Sequence, residues 1–140
     1  MEGPNDSKAI IESNKAIIEQ MYAALADHKP EGFLSCLAED VRWTIIGTTR
    51  FSKTYDGKAQ LVAGLLEPFM AELDGHPTIT PKRLIAEGEF VAMQSEGLAR
   101  TVHGKDYNNT YCHVFRIRDG LVSEVTEYLD TELITHAFRP

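Results

Sequence analysis

Two side chains with complementary proton chemistry flank a tight turn near the carboxyl end of the sequence. The stretch DYNNTYCHVFRIRDGLVSEVTEYLD, residues 106–130, places His113 and Glu127 among apolar and aromatic residues. A carboxylate in a dry pocket can act as a general base, and an imidazole can donate a hydrogen bond to a developing oxyanion. We therefore take Glu127 as the candidate base, which removes a proton next to a carbonyl or from water, and His113 as the candidate donor.

The two residues meet only if the strands that carry them pair in one particular register. Alternate residues of a strand share a face, so polar should pair with polar and apolar with apolar. If DGL is a three-residue connection, His113 lies opposite Glu127 and Phe115 lies opposite Val125. A two-residue DG turn would pair His113 with Thr126 instead. The pattern therefore predicts the cross-strand His–Glu pair.

The same pair also has a purely structural interpretation. A half-buried histidine and glutamate on neighbouring strands often form a hydrogen-bonded pair with no role in catalysis. Burial penalises an isolated charge, and each group relieves the other in either case. Both interpretations stay open at the level of the sequence.

Length and composition indicate one ordinary globular domain that spans residues 1–140. The chain has 43% hydrophobic and 25% charged residues, without an internal repeat or a linker. Its formal charge of −7 argues against nucleic acid or an anionic membrane as a partner, because both bind clusters of Lys and Arg. We expect a small hydrophobic molecule as the ligand.

The sequence offers no pattern for a metal or a nucleotide cofactor, and we expect none. Cys36 and Cys112 lack metal-ligand spacing, and the four histidines other than His113 stand in loop-like contexts without partners. No glycine-rich phosphate loop occurs. The absence of a recognisable signal peptide leads us to expect a cytoplasmic protein with reduced thiols.

Helices are predicted in the first half of the chain. The segment SKAIIESNKAIIEQMYAALAD repeats apolar residues at helical spacing, with Asp6 and Ser7 as capping residues. A shorter helix, DHKPEGFLSCLAED, carries Pro30 in its first turn and should bury Leu37. The strand VRWTIIG follows, with Val41, Trp43 and Ile45 on one face. The helix KAQLVAGLLEPFMAEL should kink or divide at Pro68.

After Pro77 the period changes from helical to strand-like. Four runs separated by EGEF, HGKD and RDGL predict an antiparallel meander, and TELITHAF predicts a last helical turn or tail. Helices followed by a curved sheet make an α+β domain in which the N-terminal helices cover one sheet face. The space between the two layers can close into a cone.

The order of these elements resembles the SnoaL-like branch of the nuclear transport factor 2-like superfamily. The stretches that carry the resemblance are IIEQMYAALAD, CLAEDVRW, YDGKAQL and YNNTYCHVFRIRDGLVSEVTEYLD. That branch is similar to polyketide cyclases, limonene epoxide hydrolase and steroid Δ-isomerase. The resemblance implies a cone-shaped α+β fold with a curved, mixed sheet, an apolar pocket at its open end, and a homodimer built on the outer sheet face.

The steroid isomerase pattern is mostly absent from this chain. By the resemblance, the isomerase base falls at Ile45, its phenol donor at Met21 and its protonated carboxylic acid at His113. Two of these three groups are missing, which argues against steroid isomerisation by that mechanism.

The limonene epoxide hydrolase pattern is retained at one acidic position. Its Arg and first Asp fall at Ser95 and Gly97, its pocket Tyr and Asn at Trp43 and Ile45, and its last Asp at Glu127. The SnoaL-type cyclases also keep an acidic catalytic residue at the position of Glu127. This retained carboxylate is the strongest indication of a site.

Two functions therefore compete. The favoured one is cofactor-free acid–base chemistry of the isomerase, cyclase, dehydratase or hydrolase type on a small hydrophobic molecule. The other is a non-catalytic carrier or a dimeric interaction module. In either case the expected pocket-lining residues are Trp43, Ile45, Tyr111, Phe115, Leu129, Ser95 and Met21.

Overall fold

In the computed structural model, residues 4–140 form five α-helices, one π-helical turn and six strands. The structure describes the backbone from residue 4 to residue 140 and the side chains from residue 7 onward. The helical segments are α1 (Pro4–Ala26), α2 (Pro30–Leu34), α3 (Lys58–Leu61), the π-helical turn (Val62–Leu66), α4 (Glu67–Ala71) and α5 (Thr131–Ala137). The strands are β1 (Leu37–Ile45), β2 (Thr54–Asp56), β3 (Thr78–Glu87), β4 (Phe90–Leu98), β5 (Thr110–Arg118) and β6 (Leu121–Leu129).

The six strands form one mixed, curved sheet in the order β2-β1-β6-β5-β4-β3. The strands β3 to β6 run as the antiparallel meander that the sequence predicts. The only parallel contact among the described strands joins β1 to β6. The short strand β2 was not predicted, because three residues are too few to show an alternating pattern. The α+β class of the prediction is confirmed.

The first helix covers the inner face of this sheet. Its residues Ile18, Met21 and Tyr22 are 0%, 0% and 4% exposed, as the helical spacing of apolar residues predicts. The helix begins at Pro4, earlier than expected, so the predicted capping residues Asp6 and Ser7 lie within its first turns. The capping oxygen of Asp6 lies outside the described side chains.

The first strand begins four residues earlier than the sequence indicates. Leu37 was predicted to be buried at the end of a helix, but it is the first residue of β1 and is 1% exposed. The predicted alternation within the strand is confirmed, since Val41, Trp43 and Ile45 are all buried. Trp43 and Ile45 therefore face the interior next to β6.

Pro68 divides the third helical region, as predicted, but the division takes a specific form. The π-helical turn comes immediately before the segment that contains Pro68. A proline has no N–H and cannot close the regular i to i−4 hydrogen bond, and a wider turn accommodates that loss. Gly64 in this turn lies against the ring of Tyr55, where a Cβ atom would come within 3.3 Å of the ring.

The hairpin of β5 and β6 has the predicted pairing, but it reaches that pairing in a different way. The connection is a two-residue turn of Asp119 and Gly120, both with positive φ (52° and 76°), rather than the three-residue DGL loop. A register shift between Arg116 and Ile117 then inserts Ser123 as an extra residue of β6. This β-bulge restores the register that places His113 opposite Glu127. The expectation that a two-residue turn would pair His113 with Thr126 is wrong because it did not include the bulge.

No helix among the described residues is long and apolar enough to cross a membrane.

Candidate functional site

Glu127 lies near the end of β6, between two strands that hold it on both sides. Its Cα pairs with that of Ile45 on β1 and with that of His113 on β5. Both neighbours are almost completely buried, at 5% and 3% exposure, whereas the Glu127 side chain is 13% exposed. The carboxylate therefore sits at the border between the packed interior and the outside.

One oxygen of the Glu127 carboxylate accepts a hydrogen bond from Trp43 and also lies close to His113. Nε1 of Trp43 donates to Oε1 at 3.0 Å, and Nε2 of His113 lies 3.2 Å from the same oxygen. No hydrogen bond from any described residue reaches Oε2. The carboxylate is therefore held through Oε1. Oε2 keeps its lone pairs available for a proton.

The His113 ring is enclosed by aromatic side chains. It stacks on Phe115, with 5.7 Å between ring centroids and 14° between planes, and Tyr111, Trp43 and Tyr22 lie 5.5, 5.8 and 6.2 Å away. This packing fixes the orientation in which Nε2 faces Glu127. Nδ1, on the opposite edge of the ring, is buried and has no hydrogen-bond partner among the described residues.

Ser95 carries a second buried polar atom without a partner. It lies on the inner face of β4 opposite Tyr111 and is 1% exposed, and no described residue forms a hydrogen bond with its Oγ. A nucleophilic serine needs a base in hydrogen-bonding contact, and Ser95 has none.

Phenol groups surround the carboxylate and remain protonated. Burial, and to a smaller extent the charge of Glu127, raises the pKa of Tyr22 well above its ordinary value. Burial likewise raises the pKa of Tyr111, with further contributions from Tyr107 and Glu127. Tyr22 forms no hydrogen bond with the described residues, so its hydroxyl is a free donor near the site.

A hydrogen-bonded chain of Tyr111, Tyr107 and Asn109 borders the site on the side of β5. The Tyr107 hydroxyl accepts two hydrogen bonds, one from the Tyr111 hydroxyl at 3.2 Å and one from Nδ2 of Asn109 at 3.0 Å. Burial raises the pKa of Tyr107 to about 12, although both of these hydrogen bonds lower it. Asn109 also ties the chain to the end of β6, since Nδ2 donates to the carbonyl oxygen of Asp130 at 3.1 Å.

Four aromatic rings fill the end of the cone at which β1 and β6 terminate. We call this cluster the aromatic plug; its members are Phe51, Phe69, Tyr107 and Phe138. Phe138 is 3% exposed, and its ring centroid lies 4.9 Å from Tyr107, 5.2 Å from Phe51 and 5.5 Å from Phe69. The end of the cone at which an open apolar pocket was expected is therefore covered by the segment that follows β6.

Polar contacts hold the C-terminal segment over the cone. Nζ of Lys105 donates to the carbonyl oxygens of His136 at 3.2 Å and Arg139 at 2.9 Å. Arg50 donates to the carbonyl oxygen of Phe138 at 3.5 Å. At the other end of α5, the Asp130 side chain accepts a hydrogen bond from the Leu133 N–H at 3.2 Å, as an N-cap residue. The segment is thus attached at both ends of α5.

The structure brings most of the predicted site residues into one cluster. Glu127 contacts His113 and Trp43 directly, and the other predicted residues face the same interior from neighbouring strands or from α1. Their exposures range from complete burial to partial exposure: Met21 0%, Phe115 0%, Ser95 1%, Ile45 5%, Tyr111 9%, and Leu129 partly buried opposite Tyr111. Met21 and Phe115 are packed within the core rather than lining open space.

Three features of the site were missed in the sequence. The Trp43 N–H was treated as part of an apolar ring, although a buried indole N–H usually finds a hydrogen-bond acceptor. Tyr22 is absent from the predicted site residues, although it directly follows Met21, the position of the isomerase phenol in the resemblance. The aromatic plug leaves no local signal, because its members come from four separate segments of the chain.

Other parts of the surface do not contribute to this cluster. A groove of about 1190 Å³ lies between α1, the start of β1 and the β5–β6 turn, and none of the site residues lines it. Within the range that the structure describes, no group of three or more His, Cys, Asp or Glu residues is arranged to hold a metal ion.

Comparison with known proteins gives one family match and many similar folds. The sequence profile of the SnoaL-like domain matches residues 18–125. No curated protein matches the chain. A nuclear transport factor 2-like protein of unknown function from Burkholderia pseudomallei K96243 is similar in structure, with a TM-score of 0.83 and 21% identity over 91% of this chain and 98% of that one.

Two further solved structures share the fold. TerC, co-crystallised with polyporic acid, has a TM-score of 0.79 and 24% identity over 90% of this chain and 98% of its own. A putative SnoaL-like polyketide cyclase from Jannaschia sp. CCS1 has a TM-score of 0.77 and 14% identity over 100% of this chain and 99% of its own.

Proposed function

This chain belongs to the SnoaL-like domain family, and from that membership we propose that it binds a small, mostly hydrophobic molecule inside the cone and transforms it by acid–base chemistry without a cofactor. The isomerase, cyclase, dehydratase and hydrolase reactions in this class share one step, the removal of a proton next to a carbonyl or from water. We assign that step to Glu127.

The arrangement of the Glu127 carboxylate carries this proposal. Trp43 donates a hydrogen bond to Oε1, and Nε2 of His113 lies 3.2 Å from the same oxygen, which orients the carboxylate and leaves Oε2 as the atom assigned to take the proton. A base whose orientation is set before the substrate arrives loses little entropy at the moment of proton transfer. With 13% of its side chain exposed, Glu127 lies at the border of the interior rather than deep within it.

His113 has two roles in this proposal. Its Nε2 edge contacts Glu127, and its Nδ1 donates a hydrogen bond to the oxygen on which charge develops. The raised pKa values of Tyr22 and Tyr111 keep both hydroxyl groups neutral, so neither adds negative charge around the base. The Tyr111 hydroxyl already donates to Tyr107, so the additional donor near the base is the hydroxyl of Tyr22. Developing negative charge on the substrate is therefore offset by donors on several sides.

Ligand entry in this proposal requires displacement of the aromatic plug. The rings of Phe138 and its neighbours cover the route from the outside to Glu127. TerC was co-crystallised with polyporic acid, and we propose that this chain likewise accommodates an organic ligand, after α5 moves away.

Proton exchange into a ketone tests the assignment without knowledge of the natural substrate. The probe is α-tetralone in deuterated buffer, and the loss of its proton signal next to the carbonyl is followed by nuclear magnetic resonance. The wild-type protein should exceed the protein-free rate, and Glu127→Gln should lower the protein-dependent rate by about 10²- to 10⁴-fold. Gln keeps the shape of the side chain and loses its basicity.

Glu124→Gln is the matched control. Glu124 lies on the same strand, is 51% exposed and contacts Arg116 at 3.8 Å on the outer face. This variant should keep the wild-type rate. Full exchange activity in Glu127→Gln would refute the catalytic assignment.

A non-catalytic carrier or interaction module remains the second candidate, and the outer face of the sheet supports it. Phe90, Leu98 and Tyr128 are large apolar residues with exposures of 45%, 58% and 45%. They lie on the face opposite the site, and we propose that a second copy of the chain covers them in a homodimer. Light scattering measures the mass in solution, and Leu98→Lys should produce a monomer. Ligand binding without protein-dependent proton exchange would favour the carrier.

A further inference from the structure

We propose that the hydroxyl of Ser95 and Nδ1 of His113 together bind one carbonyl oxygen of the ligand. This inference rests on the proposed function, since it names the chemical group that the site recognises, and it adds Ser95 as a residue that touches the reacting molecule. The class of ligand is then a hydrophobic ketone with a C–H group next to its carbonyl, rather than a hydrocarbon or an alcohol.

Two buried polar atoms without partners are the basis of this proposal. Folded proteins pair nearly all buried polar groups, because each unpaired one destabilises the fold. The buried polar residues of the described chain are Asn14, Ser95, Thr101, Asn109 and His113. Asn14, Thr101 and Asn109 form hydrogen bonds through their side chains. Among the described side-chain nitrogen and oxygen atoms that are themselves fully buried, only Ser95 Oγ and His113 Nδ1 have no hydrogen-bond partner.

Strand register places these two atoms close to each other. Ser95 pairs with Tyr111 and Met93 pairs with His113, so Ser95 and His113 are diagonal neighbours on the inner face of β4 and β5. The Cβ atoms of diagonal neighbours are roughly 7 Å apart. The proposal requires the polar ends of the two side chains to approach within about 6 Å, which is the span of two hydrogen bonds to one oxygen atom. Glu127 lies on the other side of His113, on β6. The base and the oxygen subsite are thus adjacent along the sheet.

The placement fits the removal of a proton next to a carbonyl. Oε2 of Glu127 takes the proton as the C–H bond breaks, the electron pair of that bond forms a carbon–carbon double bond, and the carbonyl π electrons move to the oxygen. Ser95 donates its O–H to that oxygen, and His113 donates its Nδ1–H. Two donors on one oxygen stabilise the enolate more than the ketone, because its negative charge is greater.

The stability of the ligand-free protein distinguishes a binding group from a structural one. Ser95→Ala removes an unpaired buried hydroxyl, so we expect the Tm to rise by about 2–4 °C. The matched control is Ser123→Ala, because the Ser123 hydroxyl donates to the carbonyl oxygen of Arg116 at 3.1 Å. That variant loses a formed hydrogen bond, and its Tm should fall. A lower Tm in Ser95→Ala would overturn the proposal.

Binding of three matched probes tests the ligand class. They are α-tetralone, its alcohol α-tetralol and the hydrocarbon tetralin, measured by calorimetric titration with the full chain. We expect the wild-type protein to bind the ketone about tenfold more tightly than either other probe, and Ser95→Ala to lose this preference. Binding of tetralin should stay the same in both proteins. A ketone that binds no better than tetralin, or a preference for the alcohol, would overturn the proposal.

Glu127→Gln separates this proposal from the proposed function. If the variant keeps the ketone preference but has no proton exchange, both proposals are supported. If it keeps both, Glu127 is not the base, yet the oxygen subsite stands. If exchange depends on Glu127 while Ser95→Ala changes neither the Tm nor the ketone preference, only the subsite is refuted.

Discussion

Stability at alkaline pH should depend on the buried phenol groups that surround Glu127. Burial raises the pKa of Tyr22 and of Tyr111 far above the ordinary value of 10.0, and that of Tyr107 to about 12. The unfolded chain therefore loses these protons first as the pH rises. A group whose pKa is raised in the folded state contributes stability below its unfolded pKa and loses that contribution above it. We expect the free energy of unfolding to decrease above pH 10.

The size of the effect follows from the pKa difference. At pH 11, one unit above the unfolded pKa, each phenol that stays protonated in the folded state lowers the free energy of unfolding by about 1.4 kcal/mol relative to neutral pH. Three such groups give about 4 kcal/mol, a large part of the 5–15 kcal/mol that is typical of a domain. The variant Tyr22→Phe removes one of the three contributions.

Urea denaturation followed by circular dichroism measures the effect at pH 8 and pH 11. Tyr22→Phe is expected to lose about 1.4 kcal/mol less than the wild-type protein between these two pH values, whatever its stability at pH 8. Tyr128→Phe, at a residue that is 45% exposed, controls for the loss of a tyrosine as such. Equal losses in the wild-type protein and in Tyr22→Phe would refute the claim that Glu127 is surrounded by neutral buried phenols.

Two further substitutions test the contacts of the site and of the plug. Glu127→Ala leaves the Trp43 N–H without its acceptor and removes the carboxylate that lies against His113, so it should destabilise the protein by about 2–4 kcal/mol in urea. Glu127→Gln keeps an oxygen at this position and should cost less than half of that. Equal costs would mean that these contacts contribute little. Phe138→Ala removes a buried ring from three aromatic contacts and should destabilise the protein by about 3–5 kcal/mol. Amide hydrogen exchange in α5 should become faster. Unchanged exchange in α5 would show that Phe138 does not hold the segment in place.

The pairing of His113 with Glu127 was predictable from the sequence because burial selects the register. Apolar Phe115 must face apolar Val125, and this requirement alone brings His113 opposite Glu127. The turn length was not needed for that result, and the prediction of a three-residue connection was wrong. A turn and a bulge together give the same register as a longer turn, and the sequence pattern does not distinguish them.

The contacts of the site were less predictable than its position. The hydrogen bond from Trp43 to Glu127 depends on the parallel pairing of β1 with β6, two strands that are far apart in the sequence. Short-range alternation reports which face a residue occupies but not which distant strand lies beside it. Phe138 illustrates the same limit, because a phenylalanine beyond a short terminal helix acquires its role only through tertiary contacts.

The bulge at Ser123 makes the site sensitive to the number of residues in the hairpin as well as to their identity. A one-residue deletion between His113 and Glu127 that the bulge does not absorb would exchange the inner and outer rows of β6, and Thr126 or Tyr128 would then face the interior instead of Glu127. Deletions or insertions of two residues preserve this parity. Changes of hairpin length during evolution are therefore expected to add or remove two residues at a time. The alternative is that the turn gains one residue while the bulge loses one, so that the total length stays the same.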